Sequence, residues 1–176
     1  MNGYTPMTTE SNATSRPASP DLLVEVVDSQ EMLDLAYSVR LDVFVLEQKV
    51  PVEEEIDSLD TAETTVHVIA RRVNEPGRAL GTARLLPTVG EPGHFHIGRV
   101  AVRAEARGLR VGAALMSVLE QRAVADTPDC DVTVELSAQE QALPFYERIG
   151  YSIASEARYL DAGIWHRDMV KVIARA

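Results

Sequence analysis

The period of the apolar positions changes several times along the chain, and each change marks an element. Residues 22–27 (LLVEVV) form a β-rich run that predicts a first strand. Ser29 then stands where a helix N-cap is expected, with acidic Glu31 just inside. Met32, Leu33, Ala36, Val39, Val43, Phe44 and Leu46 follow on one helical face, and the helix is expected to end near Gln48 and Pro51. An acidic segment, PVEEEIDSLD, reads as a loop or short helix. Residues 64–73 and 79–86 alternate as strands around the turn NEPG at 74–77, which makes an antiparallel hairpin. GEPG at 90–93 turns the chain into the stretch 94–121, a strand, a tight loop and a helix in direct succession. There Ile97, Val100, Ala101 and Val102 are strand-like, 103–107 is charged and small, and Val111, Leu115, Val118 and Leu119 share one helix face. A strand at 131–137 follows. A short helix is expected at 138–149, with Pro144 awkwardly inside it and Gly150 as its C-cap. Strands at 151–157 and 164–173, joined around 161–163, complete the pattern. The order β, α, acidic segment, β, β, β, α, β, α, β, β predicts a mixed α/β (α+β) fold with helices on both faces of one mixed sheet. It is not the regular alternation of a doubly wound nucleotide fold.

Composition narrows this picture. A chain of 176 residues predicts one domain with a sizeable core. Residues 1–20 are rich in Thr, Ser, Asn and Pro and are expected to be a disordered tail, leaving 21–176 as the single domain. No apolar run approaches the length of a membrane span, and the N-terminus lacks the apolar core of a secretory signal. A single cysteine, Cys130, excludes an internal disulfide and points to a reducing, cytoplasmic setting; a small buried residue is expected there. A net charge of −10 argues against nucleic acid as partner.

The loop before the central helix is where chemistry enters. A glycine-bearing loop that opens a helix aims backbone N–H groups at one point and adds the positive end of the helix dipole, which suits an anion, most often a phosphate. No GK[ST] follows the glycines, and Gly108 and Gly112 alone do not make a GxGxxG fingerprint. Instead, Arg107-Gly108-Leu109-Arg110-Val111-Gly112, placed between strand and helix, resembles the R/Q-x-x-G-x-G/A signature of the GCN5-related N-acetyltransferase (GNAT) superfamily. Phe145-Tyr146-Glu147-Arg148-Ile149-Gly150-Tyr151 resembles its FYxxxGF motif. Arg40, Val43-Phe44, Glu47-Gln48, Pro51, Glu55, Asp57 and Asp60 resemble the ElaA/YjcF-like branch. The resemblance covers about residues 22–173. One residue departs from it: Arg110 stands where the signature has glycine, and its N–H still serves a phosphate if its φ is negative.

The resemblance implies a central, mostly antiparallel sheet splayed between strands 4 and 5. It also implies transfer of acetyl from acetyl-CoA to a primary amine of a small molecule or peptide. Pyrophosphate would be held by N–H groups of Leu109, Arg110, Val111, Gly112 and Ala113 around Gly108, with Arg107 adding charge. The pantetheine arm would pair with Val100, Ala101 and Val102. An N–H near Arg99 or Val100 would polarise the thioester carbonyl. Tyr146 would protonate the departing thiolate. His96 and Glu135 are the candidate bases, with a water relay as a third option. Phe44, Glu47, Glu55 and His166 are candidates for the acceptor side, where the acidic segment would form a negative mouth. His94 and His96 share a strand face but no third ligand is spaced near them, so no metal is expected. A homodimer is common among such proteins. The alternative is a non-catalytic acyl-CoA-binding or regulatory module on the same scaffold, suggested by Arg110 and by the lack of an obvious base.

Overall fold

The computed structural model describes residues 21–175; the tail expected at 1–20 lies outside them. The strands are β1 (Leu22–Val26), β2 (Val66–Arg72), β3 (Ala79–Pro87), β4 (His94–Val102), β5 (Val132–Gln139), β6 (Ser152–Asp161) and β7 (Ile164–Ile173). They form one sheet in the order β1-β2-β3-β4-β5-β7-β6. Every pairing is antiparallel except β4 with β5, which is parallel.

Helix α1 (Gln30–Arg40) starts as expected: the Ser29 hydroxyl accepts the Met32 N–H at 3.2 Å. It runs on into a wider π-helical stretch, Leu41–Glu47, that ends at Gln48. This widening separates Arg40 from Glu47, which seven-residue spacing in a regular helix would put on one face. Arg40 turns into the protein, and Glu47 reaches Arg107. The acidic segment holds a short helix α2 (Val52–Glu55) and a 3₁₀ turn, Ser58–Thr61. Helix α3 spans Val111–Ala125. The strand expected to stop at Ser137 continues to Gln139, and the next helix divides into a 3₁₀ turn, Glu140–Ala142, and α4 (Leu143–Arg148). Pro144 thereby falls in the first turn of α4, where a missing N–H costs nothing. Cys130, expected to be buried, is exposed in the loop before β5.

Two cores sandwich the sheet. Ala36, Val39 and Val43 pack with Ile69, Ala79 and Ala101 on one face. On the other, Val111, Leu115, Met116 and Leu119 of α3 pack with Val68, Leu85, Ile97, Val134 and Leu136. Helix α1 lies over β2, β3 and β4. The face it covers continues over β5, β7 and β6 as a polar stripe. Residues directly opposite one another share a face, and the register sets His96 against Glu135, Ser137 against Asp168, and Gln139 and Tyr159 against His166.

The acidic segment is stapled to the sheet rather than solvated. Arg40, fully buried, meets Glu55 Oε1 at 2.7 Å and Asp60 Oδ1 at 2.6 Å. Arg84 meets Asp57 at 2.8 Å and Asp60 at 2.7 Å. The neutral His67 ring donates its Nε2–H to the Asp60 carbonyl at 2.9 Å. Burial alone pushes the Asp60 carboxyl up, but hydrogen bonds from Arg40, the Asp57 backbone and Arg84 outweigh it and bring it down to about 2. A carboxylate depressed in the fold adds stability above its ordinary titration range and loses it as pH falls toward 2, a contribution on the order of 2 kcal/mol. Replacing Asp60 by Asn leaves Arg40 and Arg84 short of a buried partner, so a loss of about 3 kcal/mol is expected at pH 7. Burial raises Glu55, which works in the opposite sense, so the readout is the difference between the two proteins. In urea unfolding at pH 7 and pH 3, the gap between wild type and Asp60→Asn narrows at the lower pH.

Candidate active site

Strands β4 and β5 pair over only three residues, His94, Phe95 and His96 against Thr133, Val134 and Glu135. Beyond His96 they part. Strand β4 is also bent: its register on β3 jumps between Gly98 and Ala101, so that Arg99 and Val100 together oppose Ala83. Arg99 takes a φ of +55° in this bulge. A bulge withdraws backbone groups from the ladder and re-aims them. It also flips the parity of the strand. Before it Ile97 faces the α3 core; after it Ala101 faces the α1 core and Val100 and Val102 border the α3 side. The Arg99 side chain anchors the bulge to the acidic segment through the carbonyls of Glu54 and Glu55 at 3.1 and 3.2 Å and the Asp57 carboxylate at 3.3 Å.

A cavity of about 650 Å³ follows this parting. One end is bounded by Glu47 and Arg107, the middle by His96, Val100, Val102 and Tyr146, and the far end by Asp161 and His166 of the β6–β7 hairpin. Phe44 and Glu55 also line it. Of the residues singled out from sequence, His96, Tyr146, Val100, Val102, Arg107, Phe44, Glu47, Glu55 and His166 converge here. Glu135 lies on the same sheet face but is exposed and outside the cavity wall. Glu55 does not present a free carboxylate, since Arg40 and Arg99 hold it, the latter at 3.3 Å. Of the acidic segment, Glu55, Asp57 and Asp60 are therefore engaged with arginines, while Glu53 and Glu54 are exposed and Glu54 lines the cavity. Arg107 is engaged with the Glu47 carboxylate, and its Nε–H reaches the Val102 carbonyl at 3.1 Å.

The loop that opens α3 differs in two details from expectation. The Leu109 N–H donates to the Ala106 carbonyl at 3.3 Å. The first helical bond is taken by Ala114, whose N–H reaches the Arg110 carbonyl at 3.1 Å. The N–H groups of Val111, Gly112 and Ala113 therefore lie in the first turn, where no intrahelical acceptor exists. Arg110 has a φ of +63°, not a negative value. It adopts the left-handed conformation, which glycine reaches most readily, so the negative φ under which its N–H is expected to serve a phosphate is not found. Gly112 allows close packing: a Cβ there would sit 3.0 Å from Phe145 Cζ, which ties the loop to the FY motif.

Tyr146 is buried, edge-on to Phe145 and Tyr151 with ring centroids 4.9 and 5.9 Å away. Its hydroxyl makes no hydrogen bond within the described residues, and burial pushes it up to about 12, so it is protonated at neutral pH. Burial lowers His96, only partly offset by Glu135, which keeps the imidazole neutral. Across the parting, the Gln48 and Gln139 amides exchange hydrogen bonds at 2.8 and 3.2 Å.

Sequence reasoning passed over Ser137, Gln139, Tyr159 and Asp168. Strand parity with Glu135 signals the first two; Tyr159 and Asp168 depend on a register that only the fold supplies. A second cavity, about 630 Å³, lies at the opposite end of β4 beside His94, Thr127 and Cys130, away from both bulge and loop. Among the described residues, no cluster of three metal-ligating side chains occurs. No helix there is long and apolar enough to cross a membrane.

The parted strands, the bulge and the loop are accompanied by a match to the GNAT acetyltransferase domain over residues 39–173. The chain belongs to the GNAT acetyltransferase family. It is 38% identical over 146 residues to YjcF of Bacillus subtilis, an uncharacterised N-acetyltransferase, covering 83% of this chain and 96% of that one. A crystal structure of an acyl-CoA N-acyltransferase from Pseudomonas aeruginosa superposes with a TM-score of 0.73 at 34% identity, covering 85% of this chain and 99% of that one. The structure of Escherichia coli ElaA gives the same TM-score at 27% identity, with the same coverage. The splayed GNAT acyl-CoA N-acyltransferase fold is thus the fold of this chain, and acyl transfer is the general activity of its family.

The left-handed demand at Arg110 is directly testable. Glycine reaches φ +63° without strain, whereas a β-branched residue does so poorly. Arg110→Gly is expected to be more stable than Arg110→Val by about 1–2 kcal/mol, measured by chemical denaturation of the two variants.

Proposed function

We propose that the protein is an N-acetyltransferase that moves acetyl from acetyl-CoA to a primary amine of a small molecule or peptide. The observation that carries this reading is the coincidence, in one cavity, of the β4–β5 parting, the bulge at Arg99 and Val100, and the protonated Tyr146. Acetyl-CoA supplies an activated thioester and three phosphate groups. The residues present suit it: an extended strand edge for the amides of the arm, a helix N-terminus for the pyrophosphate, and a cavity along the strand whose wall includes Arg107 of the loop before that helix. Val100, Ala101 and Val102 offer backbone to the arm, and Val111, Gly112 and Ala113, beside Gly108, Leu109 and Arg110, offer N–H groups to the pyrophosphate. Arg107 adds positive charge at that end and must share it with Glu47.

Tyr146 holds the proton that the departing thiolate needs. The backbone of the bulge is placed to donate to the carbonyl oxygen as charge develops there, in a site where water is largely excluded. The acceptor enters from the β6–β7 hairpin, past His166 and Asp161, with Phe44 on the facing wall. It arrives as an ammonium and sheds one proton to the polar face that carries His96 and Glu135. The cytoplasm is the setting proposed for this activity.

Thiol release from acetyl-CoA over a panel of primary amines tests the reading; CoA binding with no release from any amine would overturn it. Tyr146→Phe is expected to lower kcat by about 10²-fold while leaving acetyl-CoA affinity unchanged. Because Tyr146 stays protonated to about 12, the wild-type kcat profile should show no alkaline fall below about pH 10. A fall centred near pH 8 would remove Tyr146 as the acid.

A further inference from the structure

We propose that Ser137, Tyr159 and Asp168 form a proton relay that carries the acceptor's proton from the cavity to solvent. The proposal rests on the acyl-transfer reading and assigns the base that this reading leaves open. Ser137 lines the cavity wall. Its hydroxyl is hydrogen-bonded to the Tyr159 hydroxyl, and Tyr159 donates to Asp168 Oδ1 at 2.6 Å. Asp168 is exposed and Tyr159 half-buried, so the chain of hydroxyls runs from the cavity to the surface.

The polarity of this chain is set by chemistry. An ionised carboxylate only accepts, so the single Tyr159 proton points to Asp168. The Tyr159 oxygen must then accept from Ser137, which spends the only Ser137 proton. The Ser137 lone pairs are left to accept an N–H from the cavity side. That is the orientation an incoming ammonium requires. His166 holds the middle of the chain in place: its ring stacks on Tyr159 with centroids 5.9 Å apart and planes 17° apart, and its Nδ1–H donates to the Ile164 carbonyl at 2.7 Å.

The other candidates are less well connected. The His96 ring lines the cavity but makes no hydrogen bond within the described residues, so it has no onward partner. Glu135 is exposed and outside the cavity wall. The titratable groups around the relay are His96 on β4, Glu135 on β5, and Asp161 and Tyr159 on β6, with His166 beside Asp168 on β7. Asp168 and Glu135 both act electrostatically on His96, as do Arg84 and Arg99 with the opposite sign. Asp161 and Asp168 act on Tyr159.

The transfer balances. One N–H bond of the ammonium breaks and its proton joins the Ser137 oxygen. The Ser137 proton passes to Tyr159, and the Tyr159 proton passes to Asp168. The electron pair of the broken bond stays on nitrogen and becomes the pair that attacks the thioester carbonyl. Asp168 returns the proton to water, and the two hydroxyls reset by rotation.

The test is kcat/KM at pH 7 and pH 9.5 for wild type, Tyr159→Phe, Asp168→Asn, Ser137→Ala and His96→Gln. The acceptor is whichever of spermidine, phenethylamine or a lysine-containing peptide gives the fastest thiol release. Tyr159→Phe keeps the ring that stacks on His166 and removes only the relay oxygen. A loss of about tenfold or more is expected at pH 7, shrinking to under threefold at pH 9.5, where far more of the amine arrives already neutral. Asp168→Asn should show the same narrowing, with KM for acetyl-CoA unchanged in each variant. An equal loss at both pH values would mark a structural role and overturn the relay. So would full activity of Tyr159→Phe at pH 7, or a pH-dependent loss confined to His96→Gln. Thiol release by wild type separates the two claims: its absence with every amine removes the acyl-transfer reading itself and the relay with it.

Discussion

Two parallel strands that pair for three residues and then part leave backbone N–H and C=O groups facing a gap. Such groups need partners wherever water is scarce, and an amide-bearing arm laid into the gap, as proposed, would supply them. The remaining features of the site depend on this opening. The bulge at Arg99 and Val100 turns β4 along the gap. Gly112 brings the start of α3 against Phe145, the neighbour of Tyr146, which lines the gap. The β6–β7 hairpin bounds the other end.

The acidic segment keeps the opening in shape. A left-handed arginine in the middle of a strand is costly, and Arg99 is held there by two carbonyls and two carboxylates of residues 54–57. That segment is in turn fixed by Arg40 and Arg84 through Glu55, Asp57 and Asp60. Buried ion pairs of this kind add little net stability, but losing one partner is expensive. The network therefore fixes a geometry more than it deepens the fold. The carboxylates of Glu55 and Asp60 are buried in this network, whereas Glu54 and Asp161 are exposed and line the cavity.

Most of the fold was legible because local signals agree with tertiary demands. Ser29 caps α1, NEPG turns β2 into β3, and the face of α3 carries Val111, Leu115 and Leu119. The failures are where two signals looked alike in one dimension. A run of acids reads as solvated, yet its partners, Arg40 and Arg84, come from α1 and β3. Seven-residue spacing put Arg40 and Glu47 together, and a π-helical stretch pulled them apart. Pro144 marked a boundary that periodicity had run through. Strand parity placed Val100 and Val102 correctly on one face but could not foresee that a bulge changes which face. At the site, Arg107, Tyr146, Phe44, Glu47 and Glu55 from the motifs line one cavity and residues 108–113 of the loop are not part of its wall, whereas Tyr159 and Asp168 belong to no motif and meet Ser137 only through the register of β5, β7 and β6.

Amide hydrogen exchange with and without saturating acetyl-CoA tests the central claim most directly. If the parted strands receive the arm and the helix start receives the pyrophosphate, exchange slows at 100–102 and at 111–113, and the loop around Cys130 is unaffected. Saturation confirmed by calorimetry with no slowing at 100–102, or with protection confined to the second cavity beside Cys130, would contradict it.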